Sequence, residues 1–227
     1  MKPVPFPLWA AGEFSIILTR KSGTFDLVGQ GIEWGQWGLG CRSPELVHAA
    51  VTVVKDGRIQ AFEAGFRRPQ YRELSSFDWN KDVLLQLKRP LLLRVSPAQR
   101  DAARHWCDKQ VRDQTYGYPN LWYFTKLGLK GRFGGRQENR ELFTRNNPVA
   151  DPVQEICSQL VDTLLLEKLG IDALPHIGVG HAVPGDMSTV LSHYLAWGSL
   201  GGSSNKILAT PPDPFGRAST VCPSVPV

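Results

Sequence analysis

The sequence predicts an α+β fold, an antiparallel sheet packed against helices. Three stretches carry the prediction. His48–Val54, HAAVTVV, is rich in β-branched residues, and the Asp-Gly signal in Lys55-Asp56-Gly57-Arg58 folds it back on Ile59–Ala64, IQAFEA, as a hairpin. Ser96, Pro97 and Gln99 stand at the cap, first and third positions of a helix that runs to about Asp113. Val153, Ile156, Leu160, Val161, Leu164, Leu165 and Leu169 recur at helical spacing up to Gly170, a natural stop.

Taken in order, Phe14–Leu18 reads as a first strand after Gly12-Glu13. Phe25–Trp37 reads as a short helix leading into a Gly/Trp loop, whose aromatics either cap the core or wall a cleft. After the hairpin come two further strands, Asp82–Leu87 and Leu91–Val95, broken at Arg89-Pro90. The helix from Pro97 has one apolar side, Ala102, Ala103, Trp106 and Val111, with Cys107 packed beside Trp106. Thr115–Asn120 is turn-like, Leu121–Leu129 a short helix, and Gly131–Asn147 a polar surface loop. Asp151-Pro152 then reads as cap and first position of a helix to Leu169. Pro184–Met187 is a turn before a short helix at Ser188–Trp197. Residues 198–227 are rich in Gly, Ser and Pro and read as a disordered tail, which leaves residues 1–197 as one domain.

Composition narrows the function classes. With 42% hydrophobic and 21% charged residues over 227 positions, the chain builds a core without a disulfide scaffold. Cys41, Cys107, Cys157 and Cys222 are far apart with no CxxC pair, so neither a disulfide framework nor a zinc signature is present, and free thiols in a reducing compartment are expected. No apolar run has the length of a transmembrane helix. Met1–Gly12, interrupted by Pro3, Pro5 and Pro7, does not read as a signal peptide, so a cytoplasmic or phage-borne protein is expected. The net charge is +5, with basic clusters at Arg67, Arg68 and Arg72 and from Lys126 to Arg145. They are either a solvated face or a surface suited to an anionic cell-wall polymer or lipid headgroups. No nucleic-acid motif accompanies them, so no specific nucleic acid is expected.

Cys157 falls inside the apolar arc of the late helix. A thiol there is ordinarily a core residue, but near a helix start it lies where thiolate is favoured. A cysteine nucleophile needs a base, and the base a group that orients it. His105 lies within a helix, His193 in the last one, and His176 and His181 in a Gly-rich loop without carboxylate or Cys partners for a metal. His48 differs. It opens the hairpin, and counting outward from the Asp-Gly turn sets Glu63 beside it. Glu63 is expected to accept the Nδ1 proton of His48 and leave Nε2 for the thiol. The alternative is a strand-end pair kept for solubility. No metal or cofactor is expected.

Six segments follow one another in order: Gly12–Ile17 (GEFSII), His48–Val51 (HAAV), Phe62–Ala64 (FEA), Tyr116 in a Tyr-Gly turn, Ile156–Val161 (ICSQLV) and Pro184–Met187 (PGDM). The series resembles the permuted papain-like cysteine hydrolases, the circularly permuted NlpC-type amidases or YiiX-like proteins. Their pattern has a Gly-Asp plus strand, S-H-V-G-I, V-x-E-A, Y-C-S-E-L-V and T-P-x-D-L. The resemblance spans most of Gly12 to Met187. It implies a papain-like antiparallel sheet against helices, with residues 1–197 as the catalytic domain. It also implies Cys157 as nucleophile, His48 as general base and acid, Glu63 as its orienter and Tyr116 on the substrate side. The implied reaction is cleavage of an amide or ester, on a cell-wall peptide or a lipid-linked acyl group, through a thioester. An acyltransferase using the same thioester, or a non-catalytic papain-like binding or assembly module such as a phage-associated one, are the alternatives.

The sequence also departs from the pattern. Glu13 stands for aspartate, Val47 for the serine before the histidine, and Gln159 for glutamate. None removes a proposed catalytic atom. If Asp151 caps the helix, Cys157 lies beyond its first turn and the dipole is largely spent there; if the helix starts near Glu155, Cys157 sits at its start. Both starts are compatible with the sequence.

Overall fold

The computed structural model describes residues 11–20, 27–41, 43–65, 68–114, 157–174, 181–188 and 194–197, with Lys126, Lys130, Arg140, Glu141, Phe143 and Ile177 as single positions between them. Tyr116, the alternative helix starts at 151–156, most of 121–129 and 131–147, and the tail at 198–227 lie outside the described residues.

Six strands form the sheet: β1 (Ile16–Arg20), β2 (Leu46–Lys55), β3 (Arg58–Ala64), β4 (Pro69–Glu73), β5 (Val83–Leu87) and β6 (Tyr194–Trp197). Their order across it is β4-β3-β2-β1-β5-β6, and every pairing is antiparallel. With the helices α1 (Leu27–Gly38), α2 (Arg89–Leu92), α3 (Pro97–Asp113), α4 (Cys157–Thr163) and α5 (Pro184–Met187), the fold is α+β. No helix among the described residues is long and apolar enough to cross a membrane.

The β2–β3 hairpin forms because Asp56 and Gly57 both take left-handed backbone, φ 50° and 74°, which matches the twist of the strands they join. Alternation then sorts the sheet into two faces. Ile16, Leu18, Ala49, Val51, Val53, Phe62, Ala64, Val83 and Leu85 face the large core, shared with Ala103 and Cys107 of α3 and with Cys157, Leu160 and Val161 of α4. Ile17, Ala50, Ala61 and Leu84 face a smaller cluster closed by Ala11, Leu74 and Phe77.

The Ser96 hydroxyl accepts from the Gln99 amide at 3.2 Å and the Gln99 side chain accepts from the Ser96 amide at 2.9 Å, a reciprocal cap that fixes the start of α3. Past Thr163 the chain continues through Leu164–Lys168 in the wider π geometry. It stops at Gly170, φ 68°, whose amide bonds back to Leu166.

Several elements differ from the sequence expectation, among them Pro184–Met187, expected as a turn and found as the helix α5. Leu91–Val95 is not a strand: Pro90, fixed near helical φ, sits in the first turn of α2, and Leu93 is 71% exposed. Arg100 caps the carbonyls of Leu92 and Val95 at 2.7 and 3.2 Å. Ser188–Trp197 is not a helix throughout: Ser188 closes α5, and Tyr194–Trp197 is β6, paired with Leu84–Leu87. β4 was not foreseen. Its polar composition and leading Pro69 suit an edge strand, where a missing amide is tolerated.

Candidate active site

β2 carries His48 near its first residues, and a bulge precedes it. Thr19 pairs with His48 and Arg20 with Leu46, so Val47 is the extra residue. From His48 to Ala50 the alternation is regular, and Ala50 pairs with Glu63. His48 and Glu63 therefore share the sheet face opposite α4, and His48 Nε2 lies 3.0 Å from Glu63 Oε2.

Cys157 arrives from the other face, as the first described residue of α4. The two sides meet because the β2–β3 ladder ends at Ala50–Glu63, one residue short of Ala49. The Ala49 amide, released from that ladder, donates to the Cys157 sulfur, as does the Ser158 amide. The thiol also shares a hydrogen bond with the His48 ring. With Nε2 held by Glu63, the nitrogen left for the thiol is Nδ1. This reverses the expected assignment, because Glu63 approaches from across the strand pair and meets the far end of the ring.

Cys157 is 2% exposed and Glu63 3%, whereas the His48 side chain keeps 23% of its surface. Burial alone would raise the Cys157 thiol. The charge and hydrogen bond of His48, with the Ala49 and Ser158 amides, outweigh it and hold the thiol below its ordinary 9.0. Burial would likewise lower His48, but Cys157 and Glu63 together raise it above its ordinary 6.5. The pair thus favours thiolate and imidazolium, in which both ring nitrogens donate. Burial would also raise Glu63; the His48 hydrogen bond and charge, Gln70 and Arg72 bring it down to about 2.

Two supports of Glu63 were not legible as such. Gln70 Nε2 donates to Glu63 Oε1 at 2.9 Å, and Arg72 Nη1 stands 3.7 Å from Oε2. Arg72, expected in a basic cluster, is pinned by Ser76 through Nε at 2.6 Å and Nη2 at 2.8 Å and stacks 4.2 Å over Phe77. The signal for both was the register of β3 against β4, which needs β4 to be recognised first.

A second polar cluster holds the approach to β2. Gln36, fully buried, donates to the Pro44 and Leu46 carbonyls at 3.0 and 2.8 Å and accepts from the Gly185 amide. Beside it Asp186 takes Arg140 at 2.8 Å and the Val183 amide at 3.2 Å, with Cys41 Sγ 3.6 Å from its other oxygen. Burial and Asp186 hold the Cys41 thiol protonated; burial does the same for Cys107. Ser158 Oγ donates to the Ala182 carbonyl at 2.7 Å and ties α4 to the segment entering α5. Burial, with Arg140, lowers His181. Among the described residues no group of three or more His, Cys, Asp or Glu is placed to hold a metal.

No protein-family model matches the chain, and no curated protein does. Among solved structures it is similar to the metalloprotein yiiX from Escherichia coli, at 12% identity and a TM-score of 0.44, over 73% of this chain and 70% of that one.

Proposed function

We propose that the protein is a cysteine hydrolase of amidase or endopeptidase type, acting on an amide or ester carbonyl in the manner of the permuted papain-like enzymes. The observation that carries the reading is the chain of contacts Cys157–His48–Glu63 in a site that favours the thiolate. The thiolate attacks the carbonyl carbon, the C–S bond forms, and the carbonyl π pair moves to oxygen. The Ala49 and Ser158 backbone amides, which reach the Cys157 sulfur, are the donors assigned to that charge. The imidazolium gives its Nδ1 proton to the leaving nitrogen or oxygen, the C–N or C–O bond breaks, and a thioester remains. Neutral His48 then takes a proton from water, hydroxide attacks the thioester, and the thiolate leaves. Glu63 stays ionised throughout and steadies the imidazolium. Cell-wall peptides and lipid-linked acyl groups are the substrate classes we propose first, with the basic surface drawing an anionic polymer or headgroup.

The test is intact-mass spectrometry of the protein mixed with activated acyl esters and short peptide amides. The expected result is an adduct of one acyl group on Cys157, lost in Cys157→Ala and decaying in water. Faster decay with added amine or alcohol assigns an acyltransferase. No adduct with any acyl donor turns the reading to a papain-like binding or assembly module.

A further inference from the structure

We propose that Gln70 is a positioning residue for the His48–Glu63 pair, and that position 65 is glycine so that Gln70 can reach it. The consequence for chemistry rests on the hydrolase reading above.

The two oxygens of the Glu63 carboxylate are divided between partners: Oε2 takes His48 at 3.0 Å, and Oε1 takes Gln70 Nε2 at 2.9 Å. Glu63 and Gln70 are direct cross-strand partners on β3 and β4, so the bond spans the shortest distance the sheet offers. Gly65 lies under the carboxamide. A Cβ there would stand 2.6 Å from Gln70 Cδ and 2.9 Å from both Nε2 and Oε1. Those atoms are the mobile end of the side chain, so a larger residue at 65 would push the carboxamide off Glu63 while sparing the backbone.

Gln70 acts on Glu63 in two opposed ways. Its donated hydrogen draws charge from the carboxylate and weakens the pull on His48. It also fixes the plane of the carboxylate on a side chain that is 4% exposed and has Arg72 3.7 Å away as a competing partner for Oε2. Without Gln70 the buried Oε1 loses its donor and the carboxylate turns to recover one. Aim dominates, because a hydrogen bond weakens steeply with angle, and Glu63 is ionised with or without the extra donor.

The experiment is the rate of Cys157 alkylation by iodoacetamide against pH, resolved by peptide. It uses the full chain as wild type, Gln70→Ala, Gly65→Ala, the double variant and His48→Ala. Gln70 is itself exposed, so its truncation leaves the core intact even where Gly65→Ala does not fold. In Gln70→Ala the rate near pH 6 is expected to fall about fivefold, with an unchanged limit at high pH where the thiolate is fully formed. Gly65→Ala is expected to match it, and the double variant to be no slower than either. His48→Ala is expected to lose more. A shift in His48→Ala with a wild-type profile, or a faster one, in Gln70→Ala overturns the role of Gln70 and leaves the nucleophile standing. Unchanged profiles in both variants overturn the two readings together.

Discussion

His48 Nε2 lies 3.0 Å from Glu63 Oε2, which leaves Nδ1 for the hydrogen bond that the ring shares with the Cys157 thiol. The ring is therefore held at both ends. Its orientation is set by Glu63 of β3 and Cys157 of α4, which come together on the ring where the β2–β3 ladder ends at Ala50–Glu63. The reactivity proposed for Cys157 depends on that junction.

Glu63 gives a pH signature. Its folded value, about 2, lies below its ordinary 4.5, so the stability it contributes is fully present above 4.5 and is lost as pH falls through about 2. Seen from His48, whose value is raised, the same interaction is present below 6.5 and lost as pH rises through the folded value. Glu63→Gln is expected to lower stability at neutral pH by on the order of 2–3 kcal/mol. It should also flatten the acid limb of a urea-unfolding series. An acid limb as steep as wild type would mean that Glu63 is not charged in the pair.

The remaining cysteines are expected to be inert. Cys41 and Cys107 are held protonated by burial, Cys41 also by Asp186. At neutral pH a small thiol reagent should label Cys157 ahead of both, and serine at positions 41, 107 and 222 should leave labelling of Cys157 within about twofold of wild type. Loss of labelling in a folded triple variant would move the nucleophile.

Gln36 is expected to be a stability residue that also reaches the site. Removing its side chain leaves the Leu46 carbonyl and the Gly185 amide without their partner in a buried setting. Gln36→Ala should cost about 3 kcal/mol in urea unfolding. Because Leu46 is two residues from His48, the variant should slow Cys157 alkylation as well. A loss under about 1 kcal/mol would show that water replaces the amide at no great cost.

Much of the fold was legible because local signals and burial agreed. The Asp56-Gly57 turn, the Ser96–Gln99 cap and the Gly170 stop each name their own conformation. Leu91–Val95 misled because an apolar run carries no period of its own. Pro90 set the first turn of a helix there, and the leucines ended half-buried or exposed. β4 and β6 were missed for the converse reason: one is a polar edge, and the other is specified only by pairing with Leu84–Leu87.

At the site, counting outward from a two-residue turn placed Glu63 beside His48 without any tertiary knowledge. That count says nothing of which ring nitrogen Glu63 meets, since the answer depends on side-chain rotamers across the pair. Gln70 and Arg72 were hidden behind β4. The Ala49 amide was hidden because its role follows from where a ladder ends, and no residue type marks that.

The central claim is that His48 holds Cys157 as a thiolate. The direct measurement is the thiolate absorbance of the protein against pH, in wild type and His48→Ala, each corrected with its Cys157→Ala counterpart. Wild type is expected to ionise Cys157 below the ordinary 9.0, and His48→Ala above it, because burial, the largest influence on the thiol, is then opposed by the Ala49 and Ser158 amides without the imidazolium. Coincident curves, with Cys157 ionising at or above 9.0 in both, would contradict the account and leave Cys157 as a buried core thiol.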